Sequence, residues 1–126
     1  VYSLLSMGCK KIFLSNRTIE KAENLKKKFN EIEVLKWGQI PDFDIVINAT
    51  SVGLKDDSLD LDLKTKDKVF YDVIYNPKET RFLKKAKEDG NRIENGMFMF
   101  IYQANQSFSI WNNVIPKIDD EVLKIL

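Results

Sequence analysis

Lys11-Ile-Phe-Leu-Ser-Asn-Arg-Thr-Ile-Glu-Lys-Ala22 decides the fold of this chain. Its first residues form a short β-favouring run. From Thr18 onward, Ile19, Ala22, Leu25 and Phe29 recur at helical spacing, with Thr18 placed as the helix cap. A strand that runs straight into a helix is half of a crossover unit, and the same alternation continues along the chain. Glu31 to Leu35 reads as a second short strand. Turn residues Trp37, Gly38 and Pro41 follow, then Asp44-Ile-Val-Ile-Asn48, a buried-looking strand that stops in Ala49-Thr50-Ser51. After a charged loop from Lys55 to Lys68, Val69 to Ile74 reads as another strand. Asn76-Pro77 ends it before a helix capped near Thr80 and closed by Gly90. Arg92 to Glu94 is a last short strand. Asn95-Gly96 then turns into a long apolar helix expected over residues 97–113, and a terminal helix follows Pro116, expected over 119–126.

Short strands alternating with helices imply right-handed crossovers and an α/β fold, a doubly wound parallel sheet with its ligand crevice at the carboxyl ends of the strands. The Rossmann-like form of that sheet opens with its central strand and a glycine-rich turn that cradles a pyrophosphate, yet only Tyr2 to Met7 and Gly8 precede the first strand here. The chain is therefore expected to begin inside the first helix and to lack the first strand of the 3-2-1-4-5-6 order. Two strands would then lose their ladder partners in mid-sheet, and such a fragment should fold poorly alone. It begins with Val1 rather than Met and shows no charged segment leading into an apolar one, so a signal peptide is not expected and a longer parent protein is.

Composition narrows the chemistry. The 126 residues suit one domain, residues 1–126, and 44% hydrophobic content with five Gly and three Pro excludes disordered or collagen-like chains. Twenty Lys+Arg against nineteen Asp+Glu leave a net charge of +1, which argues against nucleic acid or an anionic membrane as partner and requires any phosphate site to be focused. A single cysteine, Cys9, and no histidine exclude an internal disulfide, a Cys/His zinc site and a His-based triad. The longest apolar run, Met97 to Tyr102, has six residues against the roughly 20 needed to span a bilayer. Asp56, Asp57, Asp60 and Asp62 invite a calcium reading. Counted from Asp56, however, position six is Leu61 and position twelve Asp67, so a solvated loop is expected and no metal. Lys26-Lys27-Lys28 reads as a solvated helix face.

Four segments carry candidate chemistry. Asn16-Arg17-Thr18 stands just past a strand, where an NAD site usually places an acidic residue on the ribose 2′-hydroxyl. Here the corner is neutral then cationic, with Lys21 one turn into the helix. A guanidinium grips a 2′-phosphate through two parallel hydrogen bonds, so this corner fits NADP better than NAD, the bland alternative being an ordinary arginine at a helix start. Asn48-Ala-Thr50-Ser-Val-Gly53 gathers small and polar residues where a chain passes close to a ligand, although a simple strand-to-loop turn has the same composition. Tyr75 ends a strand at the same edge, its phenol free for a substrate or for packing. Gly96, Met99 and Gln103 share one helix face. Gln103 is a primary amide among Phe100, Ile101, Tyr102 and Ala104, which would need partners if buried. Phe100, Ala104, Phe108 and Trp111 read as core.

In order along the chain, Ser15-Asn-Arg-Thr18 with Lys21-Ala22, Ile47-Asn-Ala-Thr-Ser-Val-Gly53, Tyr71-Asp-Val-Ile-Tyr-Asn-Pro77 and Asn95-Gly-Met-Phe-Met99 with Gln103, Phe108 and Trp111 resemble the nicotinamide-binding half of shikimate dehydrogenases. The resemblance covers most of the chain. It implies a cytoplasmic enzyme that reduces 3-dehydroshikimate to shikimate with NADPH in the pathway to chorismate and aromatic amino acids. Asn16, Arg17, Thr18 and Lys21 would hold the adenosine 2′-phosphate; Asn48, Thr50, Val73, Gly96 and Met99 would line the rest of the cofactor; Tyr75 and Gln103 would reach the substrate. The family's catalytic Lys and Asp belong to an amino-terminal substrate domain, so no catalytic residue is expected in this chain. Phe98 stands where the family's Gly-x-Gly-Met pattern has a glycine. Three alternatives remain at this point: a quinate/shikimate dehydrogenase that uses NAD, the NADPH domain of glutamyl-tRNA reductase, and a dinucleotide-binding module without catalysis.

Overall fold

The computed structural model describes residues 1–55, 59, 61 and 63–125, in two compact units, Val1–Asp42 and Phe43–Leu126. The four aspartates of the calcium reading lie outside the described residues. The first unit contains α1 (Tyr2–Ser6), β1 (Ile12–Ser15), α2 (Ile19–Lys26) and β2 (Ile32–Leu35). β1 and β2 form a parallel pair, Ile12 opposite Ile32 and Ser15 opposite Leu35. α2 crosses between them and packs on both, burying Ala22 beside a small core of Ile12 and Ile32. Thr18 takes the cap position of α2, but its side chain caps nothing. Its amide instead donates to Asn16 Oδ1 at 2.9 Å, closing an Asx turn that leads into the helix.

The second unit contains β3 (Ile45–Asn48), β4 (Val69–Asp72), α3 (Arg81–Glu88), β5 (Arg92–Glu94), α4 (Met97–Asn112) and α5 (Asp120–Ile125). Its sheet runs β3-β4-β5, all parallel, with Ile45 opposite Val69, Asn48 opposite Asp72 and Val69 opposite Arg92. α3 packs on β4 and β5 because its apolar residues fall on one stripe. Phe82, Leu83 and Ala86 from that stripe close over Phe70 and Leu63, with Phe43, Val46 and Ile93 around them. Both ends of α3 follow the expected chemistry. The Thr80 hydroxyl accepts from the Leu83 amide, and Gly90, at φ +85°, provides the left-handed residue that ends the helix.

Among the described residues β1 is laddered to β2 alone, and β3 to β4 alone.

Two expectations about burial need correction. Ile45 and Ile47 do not form a buried strand face: they are 52% and 38% exposed, because no described element of this unit packs on that side of β3. Phe100, Ala104, Phe108 and Trp111 are not core either. No described element packs along α4, and of its residues only Ile101 is buried. Asn105 Nδ2 donates to Pro116 O at 2.8 Å and ties the segment after α4 back onto the helix. No helix among the described residues is long and apolar enough to cross a membrane.

Candidate functional site

β3 and β4 end in polar residues set side by side, and a continuous hydrogen-bond network grows from that pairing. Asn48 and Asp72 are opposite in register and both buried. The Asn48 amide donates through Nδ2 to Asp72 Oδ1 (3.1 Å) and to Val52 O (3.0 Å). Its Oδ1 accepts from the Thr50 amide (3.1 Å) and the Thr50 hydroxyl (2.8 Å). Thr50 Oγ1 in turn accepts from the Val52 amide at 3.1 Å. Residues 48–52 are thus folded over the strand end by side chains, which is what the short polar run Asn48-Ala-Thr-Ser51 provides.

The start of α4 meets the same edge at Gly96. This residue is buried, its amide donates to Ile74 O at 3.1 Å, and a Cβ built on it would lie 2.0 Å from Val73 O. Only a residue without a side chain lets the two backbones approach this closely. Asn95 secures the approach, donating to Lys78 O (2.9 Å) and accepting from the Met97 amide (3.0 Å). Tyr75 is 38% exposed and stacks on Phe100 of α4, ring centres 4.6 Å apart and planes 21° apart, so its body packs while the residue stays open to solvent. Burial pushes the Tyr71 phenol above its ordinary value, with the carboxylates of Glu94 and Asp72 adding to the effect.

The structure therefore brings together Asn48, Thr50, Val73 and Gly96, with Tyr75 a few residues further along the same chain segment. Met99 and Gln103 lie on α4 and are exposed. The expectation of an amide enclosed by apolar neighbours does not hold for Gln103. Its side chain faces solvent and makes no hydrogen bond among the described residues. Phe98 is 50% exposed. Sequence reasoning gave Thr80 only as a helix cap and assigned Asp72 no role, although an acidic residue inside the apolar run Val69-Phe-Tyr-Asp-Val-Ile74 was the signal that should have drawn attention to it.

Asn16, Arg17, Thr18 and Lys21 belong to the first unit, at the carboxyl end of β1 and the start of α2. Arg17 and Lys21 are exposed and have no acidic partner among the described residues, so both cations are available to an anion. The two amides opening α2 add further donors of the same polarity. Among the described residues, no group of three or more Asp, Glu or Cys side chains is placed to hold a metal ion.

Parallel strands joined through helices, with small and polar side chains gathered at their carboxyl ends, define a Rossmann-like α/β protein. The chain belongs to the shikimate dehydrogenase family. The family model for shikimate/quinate 5-dehydrogenase matches residues 1–56. The NADP(+) shikimate dehydrogenase of Pelagibacter ubique is 51% identical, the match covering 100% of this chain and 49% of that protein. Among solved structures, the shikimate dehydrogenase of Aquifex aeolicus is 39% identical with a TM-score of 0.79, the match covering 93% of this chain and 44% of that one. A shikimate dehydrogenase solved in complex with NADP+ is 37% identical with a TM-score of 0.70, over 85% of this chain and 42% of that one. The chain spans about half the length of the curated relatives it matches.

Proposed function

We propose that this chain supplies the cofactor-binding half of an NADP-dependent shikimate dehydrogenase, which reduces 3-dehydroshikimate to shikimate on the route to chorismate and aromatic amino acids. The observation that carries this reading is the corner at the end of β1, where Arg17 and Lys21 stand without acidic partners among the described residues and no carboxylate occupies Asn16-Arg17-Thr18. A 2′-phosphate offers the charge and the paired oxygens that a guanidinium takes up, whereas a 2′-hydroxyl offers neither.

NADPH supplies the hydride that turns a carbonyl into an alcohol. The chain's own residues have the tasks of binding and orientation. Asn16, Arg17, Thr18 and Lys21 hold the phosphorylated ribose. Asn48, Thr50, Val73, Gly96 and Met99 line the remainder of the cofactor. Gly96 fits that role because its missing side chain leaves backbone from two elements in contact at the crevice. Tyr75 and Gln103, both open to solvent, reach the substrate with a phenol and an amide. The proton accompanying the hydride comes from an amino-terminal substrate domain, whose closure over the cleft excludes water.

The test combines the protein with a separately produced substrate domain of a shikimate dehydrogenase and follows 3-dehydroshikimate reduction. Turnover is expected with NADPH and much less with NADH. Arg17→Ala should weaken NADP+ binding by about 1.5–3 kcal/mol, the worth of a charge-assisted group, and leave NAD+ binding almost unchanged. Equal losses for the two cofactors would contradict the assignment of Arg17, and a bound cofactor without turnover would favour a binding module.

A further inference from the structure

We propose that Asp72 is a positioning residue, whose carboxylate sets the orientation of the Asn48 amide and thereby the fold of residues 49–52 at the cofactor site. The proposal deepens the functional reading above and rests on it. Asp72 is fully buried, at 0% exposure, and no cation pairs with it among the described residues. A buried carboxylate without such a partner is costly unless hydrogen bonds surround it. Here three donors do: the Asn48 amide (3.1 Å) and the Ile74 backbone amide (3.1 Å) on Oδ1, and the Thr80 hydroxyl (2.7 Å) on Oδ2. An apolar side chain would suit the interior of this sheet at least as well, so packing does not account for an acid at this position.

The geometry accounts for it. An asparagine amide has a donating end and an accepting end of nearly identical shape, and something must decide which points where. Asp72 Oδ1 can only accept from Asn48, so Nδ2 must turn toward β4 and Oδ1 toward Thr50. With Oδ1 there, the Thr50 amide and hydroxyl both have an acceptor, the hydroxyl oxygen is free to accept from Val52, and the second Nδ2 hydrogen reaches Val52 O. Reversing the amide would place a donor against both Thr50 donors and an acceptor against Val52 O. The two carboxylate oxygens therefore have separate tasks. Oδ1 orders the 49–52 segment, and Oδ2 anchors Thr80 at the start of α3.

Four variants separate these tasks, read by amide hydrogen exchange at Thr50 and Val52 and by NADP+ titration. Asp72→Ala removes both oxygens. Asn48→Ala removes the amide with its bonds to Asp72, Thr50 and Val52 but leaves Thr80 on Oδ2, and its exchange rates, which do not depend on any cofactor contact of Asn48, keep the question answerable if Asp72→Ala fails to fold. Thr80→Val removes the bond to Oδ2 and the cap on the Leu83 amide, so it destabilises α3 without touching Asn48. Asp72→Asn retains an acceptor toward Asn48, held in that orientation by the Ile74 amide, and serves as the conservative rescue. Asp72→Ala and Asn48→Ala should each speed exchange at Thr50 and Val52 about tenfold and weaken NADP+ binding by a similar factor, as expected when one network bond is lost. Thr80→Val and Asp72→Asn should change both by no more than about twofold. Loosening of the loop by Thr80→Val equal to that by Asp72→Ala would overturn the proposal and leave general destabilisation as the cause. Unchanged exchange in both Asp72→Ala and Asn48→Ala would overturn it as well. Failure of the unsubstituted protein to bind NADP+ would contradict the functional reading, while the exchange rates would still decide whether Asp72 orders the loop.

Discussion

Gly96→Ala is expected to destabilise the protein by about 3 kcal/mol or more, at the upper end of what overpacking costs. The added Cβ would stand 2.0 Å from Val73 O, 2.5 Å from Val73 C and 3.1 Å from Val73 Cα. These are backbone atoms of the segment leaving β4, so no rotamer change relieves the clash. The start of α4 and the end of β4 must move apart, and the bond from the Gly96 amide to Ile74 O (3.1 Å) lies across that same gap. Backbone conformation is not the cause, since φ at Gly96 is −77° and any residue adopts it. Urea unfolding of the variant against the unsubstituted protein reads the difference directly. A loss below about 1 kcal/mol would mean that the approach of α4 to β4 is looser than described. Because Val73 and Gly96 both belong to the proposed cofactor lining, the stable fraction of the variant should also bind NADP+ more weakly.

Phe70→Ala should cost about 3–5 kcal/mol, the range for deleting a buried aromatic ring. Phe70 is 2% exposed and sits on β4, the middle strand of its sheet, opposite Val46 on one side and Ile93 on the other. Its ring meets Phe43 edge-on at 6.0 Å and Phe82 at 5.3 Å, so truncation removes both ring contacts and opens a cavity between the sheet and α3. Phe70→Leu, which refills most of the volume, should recover more than half of the loss. If thermal and urea unfolding placed Phe70→Ala within about 1.5 kcal/mol of the parent, the core would have to lie elsewhere than around this ring.

Much of this architecture is legible in the sequence because local and global signals agree there. Lys11–Ala22 contains a strand run, then a helical stripe, and the structure places β1 and α2 where those periods change. Thr80 and Gly90 bracket α3 because a side-chain oxygen at the start and a left-handed residue at the end are local requirements, readable without knowing what the helix packs on. Burial was harder to read. Ile45, Ile47, Phe108 and Trp111 are apolar, which says that a residue can be buried but not whether a neighbour is there to cover it. The Asp72 network was illegible for a different reason. Its members are separated by tens of residues, from Asn48 to Thr80, and only the parallel register of β3 on β4 places them together. Arg17 and Lys21 are candidates by position alone, two cations at a strand end and helix start, and the structure places them there exposed.

Titration calorimetry of the folded protein with NADP+ and, separately, NAD+ tests the central claim most directly. NADP+ is expected to bind about tenfold or more tighter than NAD+, because the corner formed by Asn16, Arg17, Thr18 and Lys21 offers cations to a 2′-phosphate and no carboxylate to a 2′-hydroxyl. Equal affinity for the two, or a preference for NAD+, would contradict the account.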